Sequence, residues 1–211
     1  MLLVVTSLQP PPLPMPSLSY YYPIAAVLTT ISSPCHFYTF PPLLPGHSPV
    51  TRTIFIVPPY QLLHVWHDTS ISFKEVIQQF EAWLTQHHLW TKGMGGRLDQ
   101  AAFVTCGNWD LKTKVPQQCK VSKMKLPPYF MEWINLKDVY LNFYKRRATG
   151  MMTMMKELQI PLLGSHHLGI DDTKNIARVL QRMLADGALL QITARRNADS
   201  PENVEFLFRT A

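Results

Sequence analysis

Apolar side chains recur at helical spacing in several stretches of the chain after residue 71. In SFKEVIQQFEAWLTQHH they return every three or four positions, which predicts one buried helix face. Ser72 can cap this helix, because Glu75 follows three residues later in the spacing of a capping box. A longer helix with a single apolar stripe is predicted for Thr173–Asp186 and is ended by Gly187.

Shorter apolar and periodic runs lie between these two helices. AAFVTCG, at Ala101–Gly107, predicts a strand that is apolar on both faces and ended by glycine. A helix around Trp109–Val115 should follow, limited by Pro116, with the indole of Trp109 packed inward. Because strands alternate with helices, the chain is predicted to adopt an α/β fold.

The stretch PPYFMEWINLKDVYLNFYKRR predicts a proline turn followed by one amphipathic helix. Lys145, Arg146 and Arg147 at its end suit the negative pole of a helix dipole and are candidate contacts for a nucleic acid. The remaining predicted elements are a helix at Gly150–Leu158 and strands at Ala188–Thr193 and Glu205–Arg209.

Residues 1–67 differ in composition from the rest of the chain. They contain 13 of the 18 prolines and one charged residue, Arg52. Proline removes backbone donors, so this segment is predicted to be a disordered or non-native region outside the fold. A second interpretation is a docking arm, within residues 9–60, for a protein that binds proline-rich motifs. The folded domain is then predicted to span residues 68–195, with a C-terminal tail at 196–211.

Charge and cysteine content narrow the class of partner and compartment. After residue 67 there are 19 Lys and Arg against 14 Asp and Glu, a basic balance that fits RNA as a partner. The three cysteines form no metal-binding pair, and a reducing location, cytoplasmic or nuclear, is expected. The apolar run at residues 20–31 is too short to span a membrane, so no membrane partner is expected.

Three polar residues lie where an α/β fold exposes its functional groups. Asp110 follows the Ala101–Gly107 strand, at the sheet edge where such folds place their sites. His167 and Asp172 lie in the GSHHLGIDD loop, which runs into a helix. Taken singly, Asp172 could equally cap that helix and His167 could be a surface residue. Asp171 and His166 are the neighbouring alternatives for the same roles.

The combination of these residues is more specific than any one of them. FVTCGNWDLK, PPYFMEWINLK and HLGIDDTKNIARVLQRMLADG resemble, in order and spacing, blocks of the enhanced-RNAi or histone-mRNA 3′-end exoribonuclease family. This family belongs to the DEDDh class of 3′→5′ exonucleases. The likeness covers roughly residues 72–195. It implies an RNase H-like fold that removes nucleotides from RNA 3′ ends as 5′-monophosphates.

The resemblance also implies roles for individual residues. Asp110 and Asp172 match metal ligands, and His167 matches the general base that deprotonates the attacking water. Two Mg²⁺ or Mn²⁺ ions are implied as cofactors, since hard cations take carboxylate oxygens and a pair of ions can stabilise both reacting oxygens. The family spacing favours His167 and Asp172 over their neighbours.

The chain departs from the family at the first metal-binding motif. No Asp-x-Glu pair occurs in residues 1–100, so the domain is predicted to be N-terminally incomplete, with the edge of its sheet uncovered. Three interpretations follow. The chain could be an active exoribonuclease, an RNA-binding or protein-interaction remnant without catalysis, or the product of a misassembled reading frame.

Overall fold

The computed structural model describes residues 2–6, 26–28, 36–39, 53–56, 72–91, 96–99, 101–167 and 169–207. Within these ranges, eight strands form one sheet in the order β3-β4-β2-β1-β5-β6-β7-β8. They are β1 Leu2–Thr6, β2 Ala26–Leu28, β3 His36–Thr39, β4 Thr53–Ile56, β5 Ala101–Thr105, β6 Glu132–Asn135, β7 Ala194–Arg196 and β8 Val204–Phe206.

Five α-helices and two shorter helices complete the described fold. The α-helices are α1 Phe73–Gln86, α2 Val115–Val121, α3 Leu136–Tyr144, α4 Met151–Glu157 and α5 Gly169–Ala185. A π-helix spans Asp110–Lys114, and a 3₁₀-helix spans Pro128–Phe130. The mixed α/β class predicted from the sequence is confirmed.

The strands at the centre of the sheet determine where the site lies. β5 and β6 run parallel, with Thr105 opposite Asn135 at their carboxyl ends. Parallel neighbours bring their carboxyl ends to the same sheet edge, which is where open α/β folds bind ligands. On its other side β5 pairs antiparallel with β1. The prediction that this edge of the sheet is uncovered is therefore wrong for β5.

The core lies on both faces of the sheet, because successive strand residues point to opposite faces. Val104 and Ile134 pack with α3, α4 and α5 in one apolar cluster. Phe103 and Trp133 belong to the other cluster, which α1 and the aromatic residues Tyr129 and Phe130 complete. Burial on both faces explains why β5 is apolar along its whole length.

Several predicted elements are confirmed, in particular α1, β5 and α4. Ser72 is the N-cap of α1, and its side chain accepts a hydrogen bond from the Glu75 amide at 3.2 Å. The predicted strand at Ala101–Gly107 is observed as β5, ending at Thr105. The methionine-rich helix predicted at Gly150–Leu158 is observed as α4.

The single long helix predicted across PPYFMEWINLKDVYLNFYKRR is wrong. EWIN forms β6, and α3 begins only at Leu136. Asn135 makes this change possible, since its side chain caps α3 by accepting a hydrogen bond from the Lys137 amide at 3.2 Å. β6 is fixed by its pairing with β5, a long-range contact that local periodicity does not reveal.

Pro116 does not end the helix that contains it. It lies in the first turn of α2, where a missing amide donor costs nothing, and α2 continues to Val121. Before it, the chain from Asp110 is π-helical rather than α-helical. Trp109 is 63% exposed, so the expectation that its indole packs inward is also wrong.

The C-terminal elements are shifted from their predicted positions. Ala188–Thr193 is not a strand, and at its end the Thr193 hydroxyl accepts a hydrogen bond from the Asn135 amide at 2.7 Å. β7 begins at Ala194, directly after the end of the predicted strand. β8 spans Val204–Phe206 rather than Glu205–Arg209. α5 begins at Gly169, so Asp172 lies inside its first turn.

The prediction of an irregular, proline-rich segment at residues 1–67 falls largely outside the described residues. Of that range the structure describes the four strands β1 to β4. The docking arm predicted within residues 9–60 likewise lies outside them, apart from β2, β3 and β4. No helix in the part of the chain that the structure describes combines the length and apolar character needed to cross a membrane.

Candidate active site

The carboxyl ends of β5 and β6 are joined by the side chain of Asn135. Its Oδ1 accepts hydrogen bonds from the amides of Gly107, at 2.8 Å, and Lys137, at 3.2 Å. Its Nδ2 donates to Asp138 Oδ2 at 2.7 Å. Asn135 is 2% exposed, so these bonds form away from water and fix the chain that leaves β5 towards Asp110.

Asp110 is the first residue of the π-helix that follows this turn. The turn is anchored by Asn108, whose Oδ1 accepts a hydrogen bond from the buried Trp133 indole at 2.9 Å. From the far side, Arg196 donates to the carbonyls of Leu111 at 2.5 Å and Lys112 at 2.6 Å. Asp110 is therefore presented from a short helix whose first residues are held in place by contacts with Asn108 and Arg196.

Asp172 contacts the two neighbouring histidines. Its Oδ1 lies 2.9 Å from His166 Nδ1 and accepts a hydrogen bond from the His167 amide at 3.3 Å. The two imidazole rings are stacked, with centroids 3.8 Å apart. Donor atoms of the three side chains all lie within 4.8 Å of one another. The predicted pair of His167 and Asp172 is therefore adjacent, and His166 is a third member that the sequence left as an alternative.

The adjacent carboxylate, Asp171, has a structural role. Its Oδ2 accepts a hydrogen bond from the Ser165 amide at 2.9 Å, and Lys174 lies 3.8 Å from its Oδ1. Gly164 has a φ of +70°, and a Cβ there would lie 2.1 Å from Asp171 Oδ2. Asp171 thus closes the loop onto α5, and Asp172 is the carboxylate that faces the histidines.

The same loop is held to α5 by Asn175, a residue that sequence reasoning did not single out. Asn175 is fully buried; its Nδ2 donates to Leu163 O at 2.9 Å, and its Oδ1 accepts from Leu163 N at 3.1 Å. Arg178 adds hydrogen bonds to Asn175 at 3.0 Å and to Pro161 O at 2.5 Å. These contacts give the histidine-bearing loop a defined backbone.

The charges of both predicted carboxylates act on the thiol of Cys106. Burial is the main cause that raises its pKa to about 11, opposed by the charge of Lys137 and a backbone hydrogen bond from Met151. The carboxylates of Asp110 and Asp172 both add to the rise. Asp110 and Asp172 therefore both lie near Cys106, the residue that follows β5.

The three basic residues after α3 are exposed but are not wholly available to an anion. Arg146 pairs with Glu157 at 3.6 Å and lies over the Tyr144 ring at 5.7 Å. Among the described residues, the structure shows no contact that joins Lys145, Arg146 or Arg147 to the carboxylates of the site. Their assignment as nucleic-acid contacts stays a prediction.

The donor set at this edge fits a divalent cation but only part of a two-ion site. Two ions commonly need four or more carboxylate ligands, because hard cations take about six oxygens each. Asp110 and Asp172 supply two carboxylates, and residues 1–100 contain no Asp-x-Glu pair. The full two-ion arrangement therefore does not fit these residues alone.

Comparison with known proteins identifies the family of the chain. The sequence matches the RNase_T family, described as Exonuclease, over residues 67–180. An uncharacterized exonuclease domain-containing protein of Arabidopsis thaliana is 66% identical over 145 residues, covering 69% of this chain and 43% of that protein. Human 3′-5′ exoribonuclease 1 is 35% identical over 133 residues, covering 62% of this chain and 36% of that protein.

A solved structure of a 3′-exonuclease that recognises the 3′ end of the histone mRNA stem-loop also matches. Its TM-score is 0.55 at 27% identity, covering 73% of this chain and 71% of that chain. The fold and the family match thus define an RNase H-like exonuclease domain. The chain belongs to the RNase_T exonuclease family and is homologous to 3′-5′ exoribonucleases, which confirms the resemblance found in the sequence. It spans less than half the length of the curated relatives it matches.

Proposed function

We propose that this chain carries the catalytic edge of a 3′→5′ exoribonuclease, which hydrolyses the terminal phosphodiester of RNA and releases nucleoside 5′-monophosphates. The proposal is supported by the positions of three side chains: Asp110 and Asp172 both act on Cys106 at the carboxyl end of β5, and the His167 amide donates a hydrogen bond to Asp172. A phosphodiester needs an activated water and positive charge near its oxygens, and carboxylates with an imidazole can supply the first and recruit the second.

Each residue has a role that its position supports. Asp110 and Asp172 would hold divalent metal, Mg²⁺ or Mn²⁺, which when bound offsets the charge of the phosphate. His167 would take a proton from the attacking water, since an imidazole titrates near neutral pH. The backbone bond from His167 to Asp172 keeps the base beside the carboxylate.

Trp109 extends this site towards the substrate. It is 63% exposed and precedes Asp110 directly, and Lys114 Nζ lies 4.4 Å from its ring centroid. An exposed indole next to a basic side chain suits stacking with a base whose phosphate the cation contacts. RNA is therefore the proposed partner, bound through its 3′ end.

The second candidate is an RNA-binding domain without catalysis. It is favoured by the lack of an Asp-x-Glu pair in residues 1–100, which leaves two carboxylates where two ions commonly need four. The fold, the basic balance and the exposed Trp109 would then serve binding alone.

One assay separates the two candidates. The full chain is incubated with 5′-labelled single-stranded RNA and Mg²⁺ or Mn²⁺. Catalysis predicts stepwise 3′ shortening that EDTA abolishes and that His167→Ala slows by about a hundredfold or more. His88→Ala, which changes an exposed histidine on the opposite face of the sheet from α5, is the matched control. RNA that is bound in a salt-dependent manner but never shortened would identify the binding domain instead.

A further inference from the structure

His166 has no part in the proposed hydrolysis, yet it makes the closest side-chain contact of Asp172. Its Nδ1 lies 2.9 Å from Asp172 Oδ1. His167 stacks on it with ring centroids 3.8 Å apart, and donor atoms of all three side chains lie within 4.8 Å of one another. Two imidazole nitrogens and one carboxylate oxygen therefore lie close together.

This donor set differs in chemistry from a carboxylate site. Mg²⁺ prefers oxygen ligands and keeps much of its water, whereas imidazole nitrogen suits Zn²⁺ and other borderline transition metals. Three protein ligands with an open fourth position is the usual composition of a reactive zinc site. Zn–N and Zn–O bonds of about 2.0–2.2 Å place tetrahedral ligands about 3.3–3.5 Å apart. Binding of an ion therefore requires the donors, now within 4.8 Å of one another, to move closer and the stacked rings to turn towards the ion.

The surrounding structure holds the three donors in place. Asn175 and Asp171 fix the backbone of the loop on α5, and the His167 amide is bound to Asp172. The Asp172 side chain is 15% exposed and that of His166 is 38% exposed. An ion can reach the donors from solvent, while the backbone behind them needs little reorganisation.

We propose that His166, His167 and Asp172 form a binding site for one borderline transition-metal ion of the Zn²⁺ type. The ion occupies the imidazole of His167 and the carboxylate of Asp172 together. Where the proposed function holds, an ion bound in this way removes the base and one ligand from the reaction, so Zn²⁺ acts as an inhibitor. Binding itself does not depend on the proposed function; only the inhibition rests on it.

The binding test uses the metal-free full chain and needs no RNA. Zn²⁺ is titrated by calorimetry, and Co²⁺ is followed by the absorption bands of tetrahedral coordination. His166→Asn should weaken the site at least tenfold and remove the Co²⁺ bands, and Asp172→Asn should do the same. His88→Asn, an exposed histidine outside the site, should leave both readouts unchanged.

A measurement of Tm with and without Zn²⁺ shows whether each variant is folded and whether the folded state binds the ion. Zn²⁺ should raise the Tm of the unaltered chain and of His88→Asn, but not that of His166→Asn, since an ion that binds the folded state stabilises it. Equal Zn²⁺ affinity in His166→Asn and the unaltered chain would refute the proposal that His166 is a ligand of the ion. Zn²⁺ binding without inhibition of an active enzyme supports the site and refutes its inhibitory role. Absence of nuclease activity leaves the binding result intact and counts only against the proposed function.

Discussion

Replacement of Arg196 by methionine tests whether this buried cation holds the helix that presents Asp110. Arg196 is 4% exposed, and its guanidinium donates to the carbonyls of Leu111, Lys112 and Pro201. Burial lowers its pKa, because the charge has lost its water. Methionine keeps much of the volume of the side chain and removes every donor.

The expected change in the free energy of unfolding follows from the carbonyl groups to which the guanidinium donates hydrogen bonds. Hydrogen bonds from a charged donor contribute roughly 1.5–3 kcal/mol each, and a buried carbonyl left without a partner costs roughly 1–3 kcal/mol. Part of this is offset, since a buried charge without a carboxylate partner is itself unfavourable. We expect Arg196→Met to lower the free energy of unfolding by about 2–4 kcal/mol, and Arg196→Lys by less, because lysine lacks the planar fork.

The neighbouring arginine is the matched control. Arg195 carries the same charge, but its side chain is 42% exposed and pairs with Glu132 at 3.1 Å, so Arg195→Met should cost about 0–1 kcal/mol. Urea unfolding followed by tryptophan fluorescence gives both values. Hydrogen exchange at residues 110–115 should accelerate in Arg196→Met and stay unchanged in Arg195→Met. Equal costs for the two variants, or no change in exchange at the π-helix, would refute the reasoning.

Three further changes probe the elements around the site. Gly164→Ala should lower the free energy of unfolding, measured in urea, by about 1–3 kcal/mol, since φ is +70° and the new Cβ meets the Asp171 carboxylate. Gly169→Ala is the control and should be near neutral, because nothing lies within 4 Å of its Cβ. Thr193→Val removes the acceptor of a buried β6 amide and should cost about 1–3 kcal/mol, whereas Thr193→Ser should retain most stability. A hydrogen bond from the Tyr144 hydroxyl is the main cause that lowers the pKa of Asp186. The ionised carboxylate therefore stabilises the fold above its ordinary pKa, and this stabilisation is lost as the pH falls through the lowered pKa. The Tm difference between the unaltered chain and Tyr144→Phe should therefore shrink in acid, and a difference that grows below pH 4 would contradict this linkage.

The elements predicted correctly from sequence are those whose pattern is local. α1 shows helical spacing along its whole length, and β5 is a run of apolar residues that both core clusters bury. β6 was missed because EWIN joins a helical pattern without a break, and only pairing with β5 makes it a strand. Elements defined by a distant partner do not appear in local periodicity.

The same difference between local patterns and distant contacts applies to the candidate site. Motif order and spacing predict Asp110, His167 and Asp172 as site residues, and the structure places His167 beside Asp172. The contact between His166 and Asp172 depends on the backbone path of the loop, where His167 has a φ of +70°. Family spacing favours His167 and does not reveal that His166 also contacts Asp172. Nothing in ITARRN distinguishes Arg196 from Arg195, since their roles depend on which face of β7 is buried.

The two halves of the site are supported in physically different ways. Asp172 is held by contacts within its own loop and helix, the most distant being the 12-residue link between Leu163 and Asn175. Asp110 depends on Arg196, which lies 85 residues from its acceptor Leu111. Local contacts re-form quickly after opening, whereas long-range contacts require the whole sheet to be assembled. Partial unfolding of β7 should therefore disturb Asp110 while the cluster of His166, His167 and Asp172 persists, so that transition-metal binding outlasts any catalysis that needs both carboxylates.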